Sequence, residues 1–187
     1  MSKDMKIIME SWRYFSIEEQ NNHVLRIHEY LIDEFVRDIQ VLQEGDADLN
    51  EILSKVGDFA KRAYGTYKDL QRGAIKGVLT KAIDGGLKAL DFVEDRMNQE
   101  SPALIGKVRS IFNMLKTDEN MHLAISIVSI IIGLMTGEAF DVLGKVLDLI
   151  EAAPNLIQAF ESISTLTDTA NVKAAADKSG TLTTNLT

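Results

Sequence analysis

Histidines are the first residues to consider for chemistry, because the chain of 187 residues contains no cysteine. The three histidines are His23, His28 and His122. Glu119 precedes His122 by three positions, which is the Glu-x-x-His spacing of di-iron helical bundles. Such a site needs a second pair, and neither His23 nor His28 has a glutamate three residues before it. The histidines therefore do not predict a di-iron site.

Other catalytic patterns are incomplete. His28 and Glu29 begin the His-Glu-x-x-His pattern of zinc proteases, but Ile32 stands where the second histidine belongs. The chain has no Gly-x-Ser-x-Gly motif for a nucleophilic serine and no Gly-x-x-x-x-Gly-Lys-Ser/Thr loop for phosphate. We therefore predict a protein that is not an enzyme, with no catalytic or metal-binding residues and no cofactor.

The elements that carry these residues are predicted to be helices. Only two prolines, no cysteine and 6% aromatic residues argue against a secreted β-module. Apolar residues recur every three or four positions, as on one face of an α-helix. The first long stripe contains Val24, Ile27, Leu31, Phe35, Ile39 and Leu42. We predict an all-α fold in which six to eight helices form a bundle around a central apolar helical hairpin.

Capping signals divide the chain. We predict an N-terminal leader helix in residues 1–15, a helical bundle domain in 16–164 and a flexible tail in 165–187, which has little apolar surface to offset its ordering entropy. Ser16 and Glu19 have the form of a capping box that opens a new helix, and Gly45-Asp46 ends it. Later helices are expected after Asp48 or Asn50, over 75–97, from Ser101-Pro102, over 121–135 and 139–152, and from Pro154.

Charge is unevenly distributed. The net charge is −8, which argues against nucleic acid as a partner. Residues 1–51 sum to −7 and residues 52–90 to +5. We expect these segments to face each other. The alternative is that the basic segment binds phosphates or an anionic membrane surface. If the phosphates were those of a nucleic acid, Tyr64 and Tyr67 could stack on its bases.

The segment from Leu123 to Met135 carries no charge. Thirteen helical residues span about 20 Å, whereas the hydrocarbon core of a membrane is about 30 Å thick. The following segment is apolar but contains Asp141 and Asp148. We predict a helical hairpin in which Gly133-x-x-x-Gly137 permits close helix approach. In a soluble bundle, its apolar residues should be buried and both aspartates should face solvent. The residues expected to be buried are Ile127, Ile130, Ile131 and Leu134.

The N-terminal stretch is the most distinctive. Ile8, Trp12 and Phe15 share one helical face, and the polar residues Lys6, Glu10 and Arg13 lie beside it. A short amphipathic helix with the single tryptophan of the chain is suited to docking on a partner. The alternative is that it packs on its own bundle.

Met5–Phe15, reading MKIIMESWRYF, resembles the capsid-targeting leader of internal head and virion proteins of large contractile-tailed bacteriophages. The resemblance covers about eleven residues, and the rest of the chain resembles no family. It implies packaging into the procapsid and removal of the leader by a prohead protease, which cuts after glutamate in Ile/Leu-x-Glu. Glu10 and Glu19 end segments of that form.

Two functions are therefore expected as alternatives. The first is a non-enzymatic bacteriophage virion or internal head protein, packaged through its leader, with phage head or scaffold proteins as partners. It would lie in the capsid interior or the host cytoplasm, and no secretory signal peptide is predicted. The second is a membrane-active protein whose hairpin 121–152 inserts into a bilayer, as in the architecturally similar pore-forming colicins.

Overall fold

The computed structural model describes the backbone of residues 3–96 and 102–167, and side chains from Glu19 onward except Gln20 and Arg96. Within these residues the chain forms seven α-helices and no strand, which confirms the predicted all-α bundle. The predicted tail beyond Thr167 lies outside the described residues. The helices are α1 (Lys3–Glu44), α2 (Leu49–Tyr67), α3 (Arg72–Arg96), α4 (Pro102–Thr117), α5 (Met121–Thr136), α6 (Phe140–Ala152) and α7 (Leu156–Ser164).

Helix α5 forms the centre of the bundle. It contacts each of the other six helices, and thirteen of its sixteen residues are buried. A helix that is apolar on every side must be covered on every side, and the surrounding amphipathic helices provide that cover. In the predicted hairpin, α5 is thus the enclosed half. Helix α6 buries only one face and leaves the other in solvent.

Helix α1 differs from the prediction because it is continuous. Its backbone is helical from Lys3 to Glu44, so no new helix begins after Ser16. A Ser-x-x-Glu pattern caps a helix only where the preceding residues leave the helical conformation, and serine is tolerated inside a helix. At 42 residues, α1 is about 63 Å long by the helical rise of about 1.5 Å per residue.

After α1 and α5, the residue with left-handed backbone is not the glycine that ends the helix but the residue that follows it. The left-handed residues are Asp46 (φ 54°) and Glu138 (φ 57°), whereas the glycines before them keep negative φ. After α5, the N–H of Ala139 donates to the carbonyl of Leu134 at 3.0 Å, and the N–H of Glu138 donates to Met135 at 3.1 Å. This pairing is a Schellman motif, whose left-handed position is most often glycine.

Gly133 and Gly137 therefore serve packing and not the turn. A Cβ placed on Gly133 would lie 2.8 Å from Cε1 of Phe35, and one on Gly137 would lie 3.2 Å from Cγ2 of Ile39. Both neighbours belong to α1. The glycine pair was expected to bring the two hairpin helices together, but it brings α5 against α1.

The chain after α7 is anchored for three residues of the predicted tail. Thr165 caps α7 by donating its backbone N–H to the carbonyl of Glu161, and Leu166 packs against the core. The hydroxyl of Thr167 donates to the carbonyl of Ser54 at 3.0 Å. The first three residues of the predicted tail are therefore in contact with the bundle.

Candidate functional site

A cluster of three polar side chains lies inside the core. His28 of α1 is 5% exposed, and Ser129 of α5 and Tyr67 of α2 are completely buried. Nδ1 of His28 lies 2.9 Å from the hydroxyl of Tyr67 and 3.2 Å from Oγ of Ser129. The hydroxyl of Tyr67 lies 3.3 Å from Oγ of Ser129. We call these three residues the buried polar cluster.

The protons carried by the three side chains decide which residue donates each hydrogen bond of the cluster. Ser129 donates to the carbonyl of Ile125 at 2.8 Å, so its oxygen is an acceptor toward the other two residues. The arrangement with most hydrogen bonds has Nδ1–H of His28 donating to Tyr67, and Tyr67 donating to Ser129. This neutral tautomer leaves a lone pair on Nε2 of His28.

Burial shifts the pKa of both titratable members of the cluster. Desolvation disfavours a charged imidazole and lowers the pKa of His28 to about 4. Desolvation also disfavours a phenolate and raises the pKa of Tyr67 to about 12, although the hydrogen bond with Ser129 acts in the opposite direction. At neutral pH the whole cluster is therefore uncharged.

A groove leads from the surface to His28. It lies between α1 and α3, above Ile132 of α5, and has a volume of about 410 Å³. Leu25, Ile32 and Ala82 contribute apolar walls. Three charged side chains line it as well: Glu29, Asp33 and Lys81. Nε2 of His28 makes no hydrogen bond to any described residue, and it is the ring nitrogen that remains for the groove.

The cluster can exchange a proton at His28, but it offers no accessible nucleophile. The distance between Ser129 and His28 suits a nucleophile and its base. However, the hydroxyl of Ser129 donates to its own helix and is shielded from solvent, so no substrate atom reaches it. Among the described residues, no group of three or more His, Cys, Asp or Glu side chains is placed to hold a metal ion.

Ion pairs join α1 to α2 as the charge distribution predicted. Arg62 contacts Glu34 at 2.6 Å and Lys55 contacts Asp38 at 2.9 Å. The hydrogen bond from Arg62 lowers the pKa of Glu34. Among the described ion pairs, these two confirm the expectation for Lys55 and Arg62 of the middle segment.

The alternative in which Tyr64 and Tyr67 stack on nucleic-acid bases is contradicted at one of the two tyrosines. Tyr67 is fully buried in the polar cluster, so it cannot stack on nucleic acid. Tyr64 is 36% exposed, and its ring packs against Phe160 at a centroid distance of 5.3 Å. Both tyrosines therefore have packing roles.

The hairpin residues lie where they were predicted. Four apolar side chains of α5 are fully buried: Ile127, Ile130, Ile131 and Leu134. Asp141 and Asp148 are exposed on α6. Lys107 of α4 contacts Asp148 at 2.6 Å and Glu151 at 3.2 Å, so α4 is tied to the outer face of the hairpin.

The leader residues remain a prediction. The side chains of residues 1–18 lie outside the described part of the chain, which includes the six proposed docking residues. These are Lys6, Ile8, Glu10, Trp12, Arg13 and Phe15. Of the two proposed processing sites, Glu10 falls in this segment and Glu19 is exposed on α1.

Sequence reasoning missed the buried polar cluster, although each member left a signal. His28 falls between Val24 and Leu31 on the apolar stripe of α1, a position that faces the core. Tyr67 lies on the stripe of α2, and Ser129 interrupts the apolar run of α5. A polar residue on a buried face needs a partner, and three such residues on neighbouring helices satisfy one another.

Fold and site define a class: an all-α bundle in which one apolar helix is enclosed by six others around a small polar cluster. Comparison with protein families, with curated proteins and with solved structures gives no match. Within the described residues, no helix combines the length and apolar character needed to cross a membrane.

Proposed function

We propose that the chain is a non-enzymatic bacteriophage virion or internal head protein, packaged through the N-terminal part of α1. The resemblance of Met5–Phe15 to a capsid-targeting leader carries this proposal. Phage head or scaffold proteins are the proposed partners, and the capsid interior is the proposed final location.

Removal of the leader would leave the described core of α1 intact. Among the described side chains of α1, the first buried one is Val24. Glu19 lies before it and is exposed. Cleavage after Glu19 would therefore leave every described core residue of α1 in place. Because a protease needs an extended backbone, this segment must unwind locally before it is cut.

Mass spectrometry of virions purified from the source tests the proposal. We expect the protein among the virion proteins, with a mature N-terminus at Ser11 or Gln20. A matched pair of reporter fusions separates the leader from the bundle. Residues 1–20 fused to a fluorescent protein should enter virions, whereas the same fusion with Trp12→Ala and Phe15→Ala should not. Absence of the protein from virions, or equal packaging of both fusions, would contradict the proposal.

A second candidate function is membrane action by the hairpin α5–α6. It is favoured by the enclosure of an uncharged helix within amphipathic helices, which must separate before α5 meets lipid. Asp141 and Asp148 are costly inside a bilayer while charged. Entry should therefore increase at acidic pH, because a neutral carboxyl group is less costly to bury in a bilayer than a charged one.

Dye release from anionic liposomes at pH 7 and pH 4.5 tests this candidate. Release should be greater at pH 4.5, and Asp141→Asn with Asp148→Asn should increase release at pH 7. Glu44→Gln with Asp46→Asn, which raises the net charge by the same amount at exposed positions outside the hairpin, is the control for altered net charge. No release at either pH by any of these proteins would exclude membrane action by the hairpin.

A further inference from the structure

We propose that the buried polar cluster is an acid-sensitive attachment of α1 and α2 to α5. When His28 takes up a proton from the groove, the attachment weakens and the apolar surface of α5 becomes exposed. This device does not depend on either proposed function, because it concerns only how the bundle opens.

The cluster is the polar connection between three helices. Among the described residues, the only side-chain to side-chain hydrogen bonds of α5 are the one between Ser129 and His28 and the one between Ser129 and Tyr67. The remaining described hydrogen bonds of its side chains go to backbone carbonyls, of which two belong to α5 itself and one to Leu70. A change of charge in the cluster therefore acts where α1, α2 and α5 meet.

The groove provides the route for the proton. Nδ1 of His28 is engaged inside the cluster, and Nε2 is the nitrogen without a partner among the described residues. A proton from water in the groove can reach Nε2 without passing through the apolar core. The product is an imidazolium that remains surrounded by buried groups.

No opposite charge inside the core stabilises that imidazolium. Tyr67 on α2 and Ser129 on α5 are neutral, and α5 contributes apolar Ile132 to the groove. The charged groups that face His28 are at the groove. Glu29 and Asp33 on α1 favour the imidazolium, whereas Lys81 on α3 opposes it. All three are exposed to solvent, which screens them.

The direction of the pH effect follows from linkage. In an opened structure His28 is hydrated and binds a proton near its ordinary pKa of about 6.5. In the closed structure burial lowers the pKa of His28 to about 4. As the pH falls from 6.5 toward 4, the open state therefore binds a proton that the closed state does not, and opening becomes more favourable.

Helices α1 and α2 should move as one unit. Phe35 of α1 stacks on Phe59 of α2 at a centroid distance of 4.1 Å. The ion pair of Glu34 with Arg62 adds to this contact. Because Arg62 lowers the pKa of Glu34, the pair remains charged at pH values where His28 already responds.

The test compares His28→Asn with His23→Asn in the full-length chain. Asparagine places an amide near the position of Nδ1 and does not titrate, and His23 is an exposed residue of the same helix. Binding of the dye ANS reports exposed apolar surface, and hydrogen exchange reports opening of each helix. Both are measured from pH 7.5 to pH 3.5.

For the wild type and His23→Asn, we expect dye binding to rise with a midpoint between pH 6.5 and pH 4. The amides of α5 should lose protection in the same range, before those of α6 and α7. For His28→Asn, the midpoint should fall by one pH unit or more. An unchanged midpoint in His28→Asn, or simultaneous loss of protection in all helices, would overturn the proposal.

A measurement on the wild type tests the proposal even if His28→Asn fails to fold. The imidazole resonances of His28, followed by NMR against pH, should shift with a pKa below 5. Dye binding should rise over the same interval. Titration of His28 with a pKa of 6 or above in the folded protein would overturn the proposal whatever the variants do.

Discussion

The substitution Gly133→Ala tests the close approach of α1 and α5. The added methyl group would lie 2.8 Å from Cε1 of Phe35, and Cδ1 of the same ring would be closer still. Ordinary contacts between carbon atoms are about 3.5–4.0 Å long. Phe35 has no room to withdraw, because it is 1% exposed and stacked on Phe59. The two helices must therefore separate or the ring must leave its packed position.

The expected cost can be worked out from two opposing effects. Overpacking a well-packed core costs about 1–3 kcal/mol, and this contact falls at the upper end because Phe35 is buried and stacked on Phe59. Replacing a helical glycine by alanine returns about 1 kcal/mol. We therefore expect Gly133→Ala to lower the free energy of unfolding by about 2 kcal/mol, which corresponds to a loss of about 4–8 °C in Tm.

Gly106→Ala is the matched control, because a Cβ at Gly106 of α4 has no neighbour within 4 Å. The free energy of unfolding of Gly106→Ala should exceed that of the wild type by about 1 kcal/mol, from helix propensity alone. Urea unfolding followed by circular dichroism measures both variants. In a Phe35→Leu background, the cost of Gly133→Ala should decrease, since the clashing ring is gone. If Gly133→Ala were as stable as the wild type, the packing argument would be refuted.

Four further predictions concern single features. Glu138→Gly should raise Tm, because glycine removes about 1 kcal/mol of left-handed strain at φ 57°. Ile131→Ala should cost about 2–5 kcal/mol in urea unfolding, since Ile131 is fully buried. Between pH 6.5 and pH 4, wild-type stability should fall about 3 kcal/mol further than that of His28→Asn, because burial holds the pKa of His28 near 4. The ion pair of Glu34 with Arg62 should stabilise the folded protein at pH values above the ordinary glutamate pKa, because Arg62 lowers the pKa of Glu34. This stabilisation should be smaller in 0.5 M salt, and a cycle of single and double alanine variants measures it.

Local signals in the sequence predicted most helix boundaries. Asp48 or Asn50 was expected to cap a helix, and the carboxylate of Asp48 accepts from the N–H of Glu51 at 2.9 Å. Proline was expected in the first turn of a helix, and α4 begins at Pro102. These signals act within four residues and do not depend on the rest of the fold. The capping pattern at Ser16 failed because α1 continues through it.

The pairing of charges was predictable in sign but not in partner. The opposite net charges of residues 1–51 and 52–90 indicated contact between them, and Arg62 with Glu34 confirms it. In contrast, Arg109 of α4 pairs with Asp91 and Glu94 of α3. The net charge of a segment does not specify where its side chains point. Helix packing therefore decides which carboxylate each basic side chain pairs with.

The uncharged run from Leu123 to Met135 determined that α5 would be covered on every side, because exposure of so much apolar surface is unfavourable in water. The tertiary structure alone decided what covers it. Gly133 faces Phe35 and not the hairpin partner α6. The buried polar cluster joins residues 39 and 62 positions apart in sequence. Contacts at such separations depend on how whole helices pack, and no local pattern in the chain specifies that geometry.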